Sequence, residues 1–125
     1  MKTIIKTNNA PEPLGPYNQA ILVHGTLYVS GQIAINSVTD ELIVDNIVDE
    51  TKQVMYNLLA ILEDAHMTFS NVVKCTIFVK DLNQFEIINK IYGDFFTEFS
   101  PARETVEVSR LPKDVNIEIS CIAVL

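Results

Sequence analysis

The chain has 125 residues, which fits one domain when a domain averages about 150 residues. Its 9 Lys and Arg against 16 Asp and Glu leave a net charge of −7, and 48% of the residues are hydrophobic and 20% charged. That balance excludes a disordered chain, and the acidity weighs against nucleic acid, whose binding draws on clustered Lys and Arg. No stretch approaches the roughly 18 apolar residues of a membrane span, so no membrane partner is expected. The start, Met1-Lys2-Thr3-Ile4-Ile5-Lys6, is charged too often for an export signal. Cys75 and Cys121 have no CxxC partner, so reduced thiols in the cytoplasm are expected.

A weak first strand is expected at 3–7. Pro11-Glu12-Pro13-Leu14-Gly15-Pro16 holds four Gly or Pro residues in six, which makes 8–17 a surface loop. Residues 19–24 and 26–35, apolar and β-branched on either side of His24-Gly25, predict a hairpin. From Asn46 to His66, Ile47, Val54, Leu58, Ile61, Leu62 and Ala65 recur every three or four residues, the period of an amphipathic helix. Residues 72–80 alternate as a strand, with Val73, Cys75, Ile77 and Val79 on one face. Asn83 as N-cap and Glu86 three residues on predict a second helix, striped by Phe85, Ile88, Tyr92, Phe95, Phe96 and Phe99.

Two strands close the chain, at 103–109 and 115–124, and their adjacency suggests a hairpin. Two helices covering one face of such a sheet is the economical α+β arrangement. The opposite face is expected to carry Arg103 and Glu118 together with Phe78, Ile122 and Val124. It is too apolar for water, which predicts a subunit interface.

Arg103 and Glu118 lead the candidates for chemistry. A guanidinium fork matches a carboxylate at two points. Glu118 stands between Ile117 and Ile119 in a strand, where partial burial raises a carboxyl pKa toward proton transfer near neutrality. Equally, Arg103 and Glu107 on one strand face read as solvated charges. Gly31, in Ser30-Gly31-Gln32, marks either a close approach to the strand or a simple kink. Tyr17 presents a hydroxyl to a pocket or anchors its loop; Asn89 is a structural clamp or a ligand contact. His24 and His66 stand 42 residues apart with no further ligand at metal spacing, which argues against a zinc site. No GxGxxG, P-loop or GxSxG motif occurs.

Read together, Gly15-Pro16-Tyr17-Asn18-Gln19, Ser30-Gly31-Gln32-Ile33, Phe78-Val79-Lys80-Asp81-Leu82, Pro101-Ala102-Arg103, Val106-Glu107-Val108, Arg110-Leu111-Pro112-Lys113-Asp114 and Ile117-Glu118-Ile119 resemble the reactive intermediate deaminase (RidA, or YjgF-like) family over nearly the whole chain. The resemblance implies a chorismate-mutase-like α+β fold, a mixed sheet with two helices on one face, assembled as a homotrimer with sites between subunits. It also implies the last strand lying between the strands of Ser30 and of 72–80, with the strand of Arg103 outermost.

The activity implied is hydrolysis of 2-aminoacrylate and related enamine or 2-imino acids to 2-oxo acids and ammonia, with no cofactor and no metal. Arg103 would bind the substrate carboxylate, Glu118 would steer water and protons, and Tyr17, Ser30, Gly31, Asn89 and the Thr105 backbone would line the cleft. A non-catalytic, carboxylate-binding or regulatory trimer is the alternative, and RNA cleavage, attributed to some relatives, is disfavoured by the charge. Three positions depart from the family pattern. Thr105 stands where many relatives have cysteine, Glu104 where a small polar residue is common, and Ser120 where a second glutamate is common.

Overall fold

In the computed structural model, which describes residues 1–125, the first strands are β1 (Thr3–Ile5), β2 (Ala20–Val23) and β3 (Thr26–Gln32). The long helix α1 (Ile47–Asp64), β4 (Val72–Val79) and the short helix α2 (Phe85–Gly93) follow. The chain closes with β5 (Ala102–Glu107) and β6 (Ile117–Val124). The single six-stranded sheet runs β1-β2-β3-β6-β4-β5, and all its pairings are antiparallel except β4 with β5. This is a mixed α+β arrangement. The last two strands form no hairpin, because β4 lies between them.

Local chemistry explains the elements. His24 and Gly25 close the β2–β3 hairpin in two residues, both with positive φ (50° and 77°), the conformation that suits the twist of the flanking strands. The Pro-rich loop cannot form a ladder, so buried Gln19 satisfies its backbone instead. The Gln19 amide donates to the carbonyls of Thr7, Ala10 and Pro11 and accepts from the Thr7 N–H. Asn46 caps α1, its Oδ1 accepting from the Asp49 N–H at 2.8 Å.

Along α1, Val54, Met55, Leu58, Ile61 and Leu62 are fully buried. They meet Leu27, Val29, Cys75, Ile77, Ile117, Ile119 and Ala123 in one core between the helices and one sheet face.

Four further expectations need correcting. Val73 is exposed rather than inward, because the β4–β6 register shifts between Val72 and Lys74 and breaks the period of two. Asn83 does not cap α2. Asp81 caps a 3₁₀ turn at 82–84, accepting from the Asn83 N–H, and α2 begins after it. Phe99 is 83% exposed, lying beyond the end of α2 at Gly93. The fourth concerns Arg103. It pairs in register with buried Cys75, so its side chain lies on the helix-covered face of the sheet, not on the open face with Glu118.

Candidate active site

The sheet divides the candidate residues into two groups. The first lies where β3 meets β6. Between Val29 and Gln32 the β3–β6 register slips, so Ser30 and Gly31 together oppose one residue of β6, a bulge of the kind that re-aims groups at a site. A methyl group at Gly31 would overlap the Glu118 carboxylate and come 2.9 Å from its Cδ. Glycine here serves close approach, and the expectation of a simple kink is set aside. Glu118 is half-buried and accepts no hydrogen bond from the chain. Burial alone raises its pKa above the usual 4.5, with no charged neighbour contributing.

Ser30 Oγ donates to the Asn18 carbonyl at 2.6 Å, which ties the Pro-rich loop to the bulge. Tyr17 accepts from the Leu14 N–H at 3.1 Å through its hydroxyl. It therefore anchors its loop while its ring, with Leu14, Ile33 and Gly31, lines a recess beside the bulge.

The second group sits at the other sheet edge, under α2. Arg103 Nη1 donates to Asn89 Oδ1 at 2.7 Å, and the guanidinium carbon lies 5.0 Å from the Tyr92 ring centroid and 5.5 Å from that of Phe85. Its partners are thus one neutral amide and two π faces, which orient a cation without neutralising it. The chain's ion pairs are Lys6–Glu12, Lys74–Glu104 and Arg110–Asp114, so Arg103 has no anion of its own. It opens into a cleft of about 310 Å³ with Asn89, Tyr92, Gly93, Ser100 and Pro101. Thr105, two residues on, shares this face, and its Oγ1 is buried without a partner.

Arg103 and Glu118 are therefore separated by the thickness of the sheet as well as by β4. Tyr17, Ser30, Gly31 and Glu118 gather in one group, and Asn89, Arg103 and Thr105 in another. Within one protomer the two groups lie on opposite faces of the sheet. The remaining candidates have plain places. His24 sits in the hairpin turn and His66 just past α1, while Cys75 and Cys121 are buried free thiols whose pKa values burial raises. Phe85 and Tyr92, the platform for Arg103, read in the sequence only as members of an apolar stripe.

Residues 7–125 match the family model described as Endoribonuclease L-PSP. A RutC family protein of Pyrococcus horikoshii is 50% identical over 123 residues, covering 98% of each chain. The chain belongs to the YjgF/RidA family. Within it, a 2-iminobutanoate/2-iminopropanoate deaminase of Dermatophagoides farinae is 44% identical over 124 residues, covering 99% of this chain and 97% of that one. Among solved structures, a Rid family protein of Yersinia pestis superposes with a TM-score of 0.97 at 46% identity, covering all of both chains.

Of the three positions expected to depart from the RidA pattern, Glu104 faces the open side. There it pairs with Lys74 at 3.2 Å and accepts from Thr76 Oγ1 at 3.1 Å, which together lower its pKa. Ser120 lies in register with Thr76 on the same side. Only Thr105 shares a face with Arg103.

Proposed function

We propose that this RidA-family chain is a single-domain, cytoplasmic hydrolase that works as a homotrimer. It converts 2-aminoacrylate and related 2-imino acids to 2-oxo acids and ammonia, the chemistry of a 2-iminobutanoate/2-iminopropanoate deaminase. One observation carries the reading: an oriented guanidinium without an anion and a burial-perturbed carboxylate without a partner lie on opposite faces of one sheet. They can meet only if the Arg103 edge of one copy packs on the open face of the next.

That face supports the packing. Tyr28, Val106 and Val124 are exposed on it, and Phe78 and Ile122 are only half-buried, an apolar surface suited to a partner. A closed ring of three such heterologous contacts gives three equivalent clefts.

In that cleft Arg103 takes the substrate carboxylate in a two-point pair, which sets C2 of the imine beside a water held by Glu118. Water attacks C2 as the C=N π electrons move to nitrogen. Glu118 accepts the proton the water loses and passes it to that nitrogen, to give a carbinolamine. Collapse forms the C=O bond and breaks the C–N bond. As the C=O bond forms, Glu118 takes the hydroxyl proton and hands it to the departing amine, so R–C(=NH)–COO⁻ and H₂O become R–CO–COO⁻ and NH₃. An enamine enters after gaining a proton at C3. Fixed orientation supplies most of the rate gain, because the uncatalysed hydrolysis is already facile.

The net charge of −7 disfavours the RNA cleavage that the matching family model's description names. The test is ammonia release from imino acids made in place by an amino-acid oxidase. The protein is expected to accelerate release, and Arg103→Ala to remove most of that acceleration. Near-unchanged turnover in Arg103→Ala, or ligand-dependent stabilisation of the protein without ammonia, would overturn the reading.

A further inference from the structure

Glu50 is an acid that the proposed chemistry does not use. It lies in the first turns of α1 between Ile47 and Val54, on the apolar face, and is fully buried. None of the chain's ion pairs includes it. Instead Oε2 accepts from the Asn116 backbone N–H and Oε1 from Asn116 Nδ2, each at 2.7 Å. Both partners are donors, so the closed ring needs an acceptor at each oxygen. A carboxylate provides two and a glutamine amide one.

Asn116 is the residue before β6, and its carbonyl accepts from the Lys80 N–H at 3.0 Å, just past β4. Two residues later, inside β6 and on the open face of the sheet, comes Glu118. Seven residues along α1 from Glu50, buried Asn57 donates through Nδ2 to the carbonyls of Ile33 and Ile35, both at 3.0 Å. Gln53, between them, donates to Asn57 Oδ1 at 2.9 Å. Those carbonyls belong to the chain leaving β3, directly after Gly31 and Gln32. One polar stripe of one helix therefore grips both segments that bring Gly31 and Glu118 into contact.

We infer that Glu50 is a positioning residue, fixing Glu118 against the Gly31 backbone through Asn116 while Asn57 holds the opposing strand. Its catalytic meaning rests on the hydrolysis proposed above; the placement of the Glu118 carboxylate does not. Replacing Glu50 by glutamine turns one N–H group toward a donor and releases Asn116. A shift of the order of 1 Å at a reacting group lowers rate by roughly 10²-fold.

The experiment compares the trimeric wild type, Glu50→Gln, and the double variant Glu50→Gln/Asn116→Asp. In the double variant the new amide nitrogen donates to the new carboxylate and the amide oxygen still accepts from the residue-116 N–H. For Glu50→Gln, kcat is expected to fall by about 10- to 100-fold, while KM, set by Arg103, is unchanged. The double variant is expected to regain kcat. A second readout needs no turnover: in a ¹³C carboxyl titration, Glu118 should move down toward its ordinary value in Glu50→Gln and return in the double variant.

A Glu50→Gln protein with wild-type kcat and wild-type Glu118 titration would overturn the inference. So would a double variant that regains thermal stability but neither kcat nor the titration. If Glu50→Gln does not fold, the double variant decides alone, by matching or missing the wild-type titration. A wild type that releases no ammonia would defeat the proposed hydrolysis, and the titration would still decide the positioning.

Discussion

In the proposed hydrolysis, Glu118 ties stability to activity at a single residue. Its folded pKa lies above the usual 4.5 because burial disfavours the anion. Stability drawn from the neutral acid is therefore complete below the unfolded value and is lost as pH rises through the folded one. Above the folded pKa the fold carries a carboxylate it would hold more easily uncharged. Glu118→Gln is expected to raise the melting temperature at pH 7, with the gain vanishing toward pH 4, while turnover drops by about 10²–10⁴-fold, the usual weight of a general base. Melting curves at the two pH values and the ammonia assay check both. In the wild type, activity should fall on the acid side through a pKa above 4.5, since only the carboxylate can accept the water's proton.

Legibility in the sequence was uneven at this scale. Arg103, Glu118 and Gly31 stand out because each breaks the pattern of its strand. Glu50 carries the same kind of signal, a charge between Ile47 and Val54 on an apolar helix face, and the ring it forms with Asn116 spans 66 residues, beyond what local spacing can reveal.

At the scale of elements, periodicity found all six strands and both helices, and it failed where period alone is ambiguous. Strand β5 is an edge strand whose outward side carries exposed Val106 and whose helix side carries Arg103 and Thr105. Its polar residues therefore face inward, opposite to the usual rule, and alternation assigned the faces the wrong way round. The bulge at Val73 displaced one residue of β4 for a related reason.

Of the two helix starts, that of α1 was legible in the sequence. Asn46 was the first residue of the predicted helix and is the cap of α1. Asn46→Ala should destabilise the protein by about 1 kcal/mol, within the range of about 0.5–2 for such a loss. The check is a lower denaturant midpoint at fixed protein concentration with an unchanged m-value. The start of α2 was misplaced because an intervening 3₁₀ turn at 82–84 takes the cap at Asp81.

At the scale of the molecule, strand order was legible only through resemblance to the RidA family, because nothing local says that β6 inserts between β3 and β4. That insertion fixes the functional consequence. It sets Glu118 in the interior of the sheet on its open side and leaves Arg103 at the edge under α2, so the two residues of the proposed site face away from each other in one copy. Charge and exposed apolar surface then favour a closed assembly of this chain with itself over an acidic partner such as RNA.

Subunit mixing tests this most directly. Arg103→Ala and Glu118→Ala proteins, each inactive alone, are unfolded together in equal amounts, refolded into mixed assemblies and assayed for ammonia release. With Arg103 from one copy and Glu118 from the next, about a quarter of the interfaces in a randomly mixed closed ring regain both residues. Activity near about a quarter of the wild-type value is therefore expected. Mixed assemblies as inactive as their parents would contradict a site shared between copies.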